Sequence, residues 1–274
     1  MEALNGRAVN AWSTVLAADR RATRCLAASL CLCCSGERAA AAGFCGMDSN
    51  PAETTDILVS WSGGKDSCMA LASLLQDRPF RIRALLTTVT EDFDRISMHG
   101  VRRSLLRRQA ESLGLPLREV LIPRQATNAQ YEASMAAALA DYREQGIDTC
   151  AFGDLFLADI RAYRDRQLAA HGMQGLYPLW GRDTGELIRD FLAQGYKTAV
   201  VCVDPRKLSP TFVGRVIDSG FLSELPHGVD PCGENGEFHT FVFDGPIFKS
   251  PVEFGFGETV LRDGFWFSDL VPDA

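Results

Sequence analysis

From Asp56 onward, short apolar runs alternate with segments whose apolar residues recur at helical spacing. Ile57-Leu58-Val59-Ser60-Trp61 is a strand-like run. It is followed by a glycine turn and a segment whose Met69, Leu71, Ala72, Leu74 and Leu75 can face a sheet as one side of a helix. Arg81 to Val89 predicts a second strand. His99 to Leu113 predicts an amphipathic helix with Val101, Leu105, Leu106, Ala110 and Leu113 on one side and Arg102, Arg103, Arg107 and Arg108 on a solvated face. Leu117 to Ile122 and Thr149 to Phe152 are further strands, separated by an alanine-rich helix from about Asn128 to Gln145. The order β-α-β-α-β-α-β calls for parallel strands joined by right-handed crossovers. The expected fold class is therefore α/β, a doubly wound, Rossmann-like sheet with its ligand site beyond the carboxyl ends of the strands.

The pattern changes again near Asp154. A helix to His171, a turn around Trp180, a helix Thr184 to Gln194, a strand Thr198 to Val203 and a glycine-rich end containing His239 to Phe243 predict a C-terminal α+β subdomain that closes over the site. The expected division is 1–54 as a low-complexity extension, 55–153 as the nucleotide-binding part and 154–274 as the substrate side. The first stretch is alanine-rich and holds five of the nine cysteines. Met47 as the true start, a disordered tail or a targeting segment all fit it.

Composition narrows the class. With 46% hydrophobic and 23% charged residues among 274, the chain can build an ordinary core. Its net charge of −7, from 28 basic and 35 acidic residues, disfavours nucleic acid as a partner. No apolar run reaches the roughly 18 residues a membrane-spanning helix needs, so no membrane partner is expected. The cysteines lack zinc-ribbon spacing, so no metal site is assigned to protein ligands, and a reducing, cytoplasmic setting is expected.

The chemistry concentrates in Ser62-Gly63-Gly64-Lys65-Asp66-Ser67, directly after the first strand. Glycines admit close approach of backbone amides, a helix N-terminus favours an anion, and Ser62, Ser67 and an exposed loop lysine, Lys65, can add donors. The spacing is neither the common P-loop nor that of dinucleotide folds.

This hexapeptide is the signature of the PP-loop ATP pyrophosphatases, and the chain resembles that superfamily. Gly153-Asp154, Tyr163-Arg164-x-Arg166, Leu179-Trp180 and Cys232-Gly233-Glu234-Asn235-Gly236-Glu237-Phe238-His239-Thr240 further resemble the diphthine–ammonia ligase family. In that family the last stretch usually reads Gly-Glu-Gly-Gly-Glu-Tyr-Glu-Thr. Asn235, Phe238 and His239 depart from it, which bears on substrate identity more than on ATP use. The resemblance implies ATP with Mg2+ as cofactors, a carboxylate substrate that is adenylated with loss of pyrophosphate, and ammonia as the group transferred. A homodimer is compatible with it.

On that basis Lys65, Asp66, Glu234 and Glu237 are the catalytic candidates, and the 62–67 loop with Thr87, Thr88, His99, Gly153 and Asp154 the nucleotide-binding ones. Simpler roles compete: Thr87 and Thr88 suit any strand, His99 suits a surface cap, Asp154 an N-cap, Glu234 and Glu237 a solvated loop, and Arg164 and Arg166 a helix surface. Cys232 as a sulfur-transfer nucleophile lacks a visible base. Two alternatives to the ligase stay open from sequence: a non-catalytic ATP or AMP sensor, and a tRNA-modifying enzyme with the same loop.

Overall fold

A computed structural model describes residues 54–76, 79–96 and 99–273. The expected extension therefore lies almost wholly outside the described residues. Strand β1 (Thr55–Ser60) leads through the glycine loop into α1 (Lys65–Gln76), then β2 (Phe80–Thr90), the short β3 (Arg95–Ile96), α2 (Arg103–Leu113), β4 (Leu117–Ile122), α3 (Asn128–Arg143), β5 (Thr149–Ala151), α4 (Ala158–Ala169) and β6 (Gln174–Leu176).

β1 pairs in parallel with β2 on one side, through Val59 and Leu85, and with β5 on the other, through Val59 and Ala151. β4 lies parallel to β2 and β6 parallel to β5, while β3 alone runs antiparallel, against the end of β2. The chain thus winds outward from β1 in one direction and then in the other. That reversal between β1 and β5 is the switch point at which open α/β sheets leave a crevice. Cys68, Leu71 and Leu74 of α1 join Leu105, Leu106 and Ala110 of α2 over one face of the sheet. Ala138 and Leu139 of α3 and Leu168 of α4 cover the other with Leu58, Leu86 and Cys150.

The remainder is α5 (Thr184–Ala193), β7 (Lys197–Val203), the short α6 (Ser219–Glu224), β8 (Phe238–Asp244), β9 (Phe254–Arg262) and β10 (Phe265–Pro272). Its strands form a second, antiparallel sheet in the order β8-β7-β10-β9. Phe191, Val200, Val201 and Phe241 from this part join Met69 and Leu71 in one buried cluster, so the two parts share a core. The edge of β8 is tied to the glycine loop by Val242, whose N–H donates to the Gly63 carbonyl at 2.9 Å.

Three expectations are corrected. The helix expected from His99 starts at Arg103, because Gly100 takes φ +69° and its N–H returns to the Ile96 carbonyl at 3.0 Å, closing a turn that helix geometry cannot contain. The helix expected from Asp154 starts at Ala158, since the intervening segment is held by side chains of the site instead. The arginine face is not simply solvated: Arg103 and Arg107 both grip Glu119 of β4, and Arg102 grips Asp269 of β10.

Candidate active site

The glycine loop stands at the switch point, between the carboxyl end of β1 and the first turn of α1. Gly63 has φ +77°, a conformation that costs a side-chain-bearing residue about 1 kcal/mol or more and glycine almost nothing. The loop is braced from within. Ser62 Oγ accepts from the Gly64 N–H at 3.3 Å and lies 3.2 Å from Ser67 Oγ, while Ser67 Oγ donates to the Gly64 carbonyl at 2.9 Å.

It is also braced from outside. Gln109 of α2, wholly buried, accepts from Trp61 Nε1 at 3.1 Å and donates to the carbonyls of Gly63 at 3.0 Å and Val242 at 2.5 Å. Thr240 of β8 accepts the Lys65 N–H on its Oγ1 at 3.0 Å. Gly153, just past β5, abuts the same turn so closely that a Cβ there would lie 2.6 Å from the Asp66 carbonyl carbon and 2.8 Å from the Ser67 nitrogen. Glycine at 153 is therefore a packing requirement set by α1.

Lys65 is not the exposed loop lysine expected. Only 2% of it is accessible; its ammonium lies 2.9 Å from Asp66 Oδ2 and 5.5 Å from the centre of the Phe238 ring. The cause is its place in the first turn of α1, which directs the side chain under the loop. Burial opposes its charge, but the adjacent Asp66 carboxylate, with Glu234 near, outweighs that cost and holds the lysine pKa above its ordinary value. Asp66 is raised, first by burial, with Asp230 and Asp154 adding like charge against the pull of Lys65. Acids thus outnumber bases under the loop.

Asp154 follows β5 but does not cap α4, whose N-cap is Leu157. It is paired with Arg164, whose Nε is 2.8 Å from Asp154 Oδ2. Arg166 on the same helix is exposed and not brought into the site. Glu234 Oε1 accepts from the Leu155 N–H at 2.9 Å, and burial together with the charge of Asp66 pushes its carboxyl up to about 7. Glu237 is buried rather than solvated. Its Oε1 accepts from the Asp230 N–H at 3.1 Å and from Asn235 Nδ2 at 3.2 Å, which fixes the 230–237 loop.

Above these groups lies a cavity of about 370 Å3. Ser62, Leu86, Thr87, Thr88, His99, Glu234 and His239 are on its wall, and Tyr131, Met135 and Leu139 of α3 give it an apolar side. Lys65 is not on that wall. His99 Nδ1 is 3.1 Å from the Thr240 carbonyl, and its ring faces His239 at 4.8 Å. Shielding from water pushes the two imidazoles down, to about 4 for His99 and about 3 for His239, so both are neutral at pH 7. Asp66 Oδ1, Thr87 Oγ1 and Glu237 Oε2 are buried without a hydrogen-bond partner among the described residues. Buried polar atoms of this kind normally find partners.

The cysteines among the described residues take no such part. Cys68, Cys150, Cys202 and Cys232 are buried and free; burial pushes the thiols of Cys150, Cys202 and Cys232 up to about 12, and that of Cys68 higher still. None is a thiolate at neutral pH. Arg206 and Lys207, after β7, reach the cavity rim although no motif drew attention to them. Gln109 was legible in principle, as a polar residue inside the apolar stripe of α2.

The diphthamide synthase N-terminal domain model matches residues 55–175, and the corresponding C-terminal domain model residues 183–268. The diphthine–ammonia ligase of Danio rerio is 27% identical over 235 residues, covering 76% of this chain and 90% of that protein. The Homo sapiens enzyme of the same name is 26% identical over 238 residues, with 76% and 86% covered. That of Schizosaccharomyces pombe is 25% identical over 210 residues, covering 70% of this chain and 34% of the relative, whose chain is much longer. With both domain models matched in order, the first of them containing the 62–67 loop, the chain belongs to the diphthine–ammonia ligase family, ATP-dependent ligases of the PP-loop superfamily.

Proposed function

We propose that the protein adenylates a carboxylate and then converts the acyl-adenylate to an amide with ammonia. The observation that carries this is the pairing of a braced phosphate loop at the sheet's switch point with a cavity of about 370 Å3 whose wall holds Ser62 of that loop, Thr87 with its unpartnered buried hydroxyl, and Glu234.

The amides of residues 62–67 and the N-terminus of α1 receive the pyrophosphate part of ATP, where preorganised donors stabilise charge as it builds on the leaving group. Lys65 contributes positive potential from beneath the loop. Thr87 and Thr88 meet the base, which supplies the Thr87 hydroxyl with its missing partner, and the neutral His99 lines the nucleotide's other side. Gly153 lets β5 approach α1, and Asp154 is held ready by Arg164.

A magnesium ion fits the excess of carboxylates near the loop. Asp66, with its free Oδ1, and Asp154 would hold it, and it would supply positive charge against the phosphates.

In the reaction a carboxylate oxygen attacks the α-phosphorus and pyrophosphate leaves. Ammonia then attacks the acyl carbon, AMP leaves with its phosphate, and the nitrogen loses a proton. Glu234, on the cavity wall, orients the incoming nitrogen, and Glu237 positions Glu234 by fixing the loop between them. The relatives' name makes diphthine the first carboxylate to try. Incubating the protein with Mg-ATP, ammonium and a panel of acids that includes diphthine-bearing protein tests the reading: it expects AMP and pyrophosphate in equal amounts, stimulated by one class of acid. ADP and phosphate, or no turnover with any acid, would overturn it.

A further inference from the structure

The second sheet ends in an open edge. β9 pairs with β10 on one side and with nothing among the described residues on the other. Edges of this length are normally blunted or covered, because their free peptide groups template further pairing.

The composition of this edge indicates what covers it. Phe256 stands opposite Leu270 and Leu261 opposite Trp266 in the hairpin ladder, so both lie on the face that carries the core. Leu270 is wholly buried, yet Phe256 is 50% and Leu261 59% exposed. Phe256 is the outermost ring of an aromatic ladder that begins inside the core, with Phe241 5.9 Å from Phe254 and Phe254 5.4 Å from Phe256. The apolar face therefore runs out onto the last strand.

The peptide groups are aligned to match. β9 and β10 are joined by Asp263 and Gly264, both at positive φ, as a two-residue turn requires. Such a turn makes Arg262 and Phe265 the closing hydrogen-bonded pair. Alternation along the ladder then leaves the N–H and C=O groups of Thr259 and Leu261 pointing to the open side. Glu258 and Arg262 form no ion pair among the described residues, although Arg262 lies over the Phe93 and Phe267 rings.

We propose that a second copy of this chain pairs antiparallel along β9, about a two-fold axis at Val260, joining the two four-stranded sheets into one. In that register Thr259 of each copy faces Leu261 of the other, so the outward peptide groups of both meet. Glu258 faces Arg262 twice, and the exposed apolar residues are drawn toward one seam. An isologous interface demands this self-complementarity. The inference is independent of the proposed reaction.

Sedimentation of the full chain over a range of concentrations, with three variants, tests it. Wild-type protein is expected to show twice the monomer mass at high concentration. Leu261→Pro removes an N–H that the monomer leaves unpaired, so it should halve the mass while the circular dichroism spectrum stays native. Glu258→Arg, which sets like charges opposite each other, should also yield monomer, and adding Arg262→Glu to it should restore the dimer. A wild-type monomer at every concentration overturns the proposal. So does a dimer that survives both Leu261→Pro and Glu258→Arg, or one that the double swap fails to restore.

Discussion

Replacing Gln109 by leucine keeps the side-chain size but removes all three hydrogen bonds that clamp the phosphate loop to α2 and β8. The Gly63 carbonyl retains the Val242 N–H, so the change strands two buried groups, the Trp61 indole N–H and the Val242 carbonyl. Each such group costs about 1–3 kcal/mol, offset by about 1 kcal/mol from the added apolar surface, which places the net loss for the two at about 1–5 kcal/mol. That is a large share of the roughly 5–15 kcal/mol by which domains are stable. Urea unfolding followed by Trp fluorescence should show the loss. Calorimetric titration with ATP under native conditions should show affinity at least about tenfold weaker, equivalent to about 1.4 kcal/mol, because Gly63 is no longer held in place. Gln109→Glu should be worse on both counts, since its carboxylate would face two carbonyls. Leucine at 109 with unchanged stability and unchanged ATP affinity would refute the claim that this clamp sets the loop.

Three further outcomes are expected. Gly153→Ala forces apart β5 and the first turn of α1, so nucleotide affinity should fall about tenfold or more, together with a lower melting temperature. In Glu234 the folded carboxyl titrates near 7 against an ordinary 4.5, so the folded state binds more protons than the unfolded one between those values. Stability of the ligand-free protein therefore falls as pH rises through that window, and Glu234→Gln should flatten the fall in unfolding curves. Glu119 behaves in the opposite sense: burial raises it, but the Arg103 and Arg107 guanidinium groups win and hold it at about 2, so its contribution is present above about 4.5 and lost as pH drops toward 2. Glu119→Gln should lower stability at pH 7 and reduce its decline on acidification, as read by acid unfolding.

The parallel sheet was legible because buried strands such as Ile57–Val59 read as continuous apolar runs, and because the glycine loop sat between a strand and a helix. Two kinds of information were not. Helix starts at Arg103 and Ala158 are set by tertiary contacts, a turn at Gly100 and the loops held by Glu234 and Arg164, that local spacing does not encode. Lys65 looked exposed because it belongs to a loop motif, yet helix geometry turns its side chain inward toward Asp66. Gln109 and Thr240 brace the loop from 46 and 175 residues away, and such partners become visible only once β8 lies against α1.

Adenylation itself is tested most directly by exchange of labelled pyrophosphate into ATP without ammonium, with and without added carboxylates, using Lys65→Gln of verified fold as the blank. Label appearing in ATP only when the right carboxylate is present, and not with the variant, is the predicted result. Exchange that needs no carboxylate, or amide formation that proceeds with ADP rather than AMP as product, would contradict it.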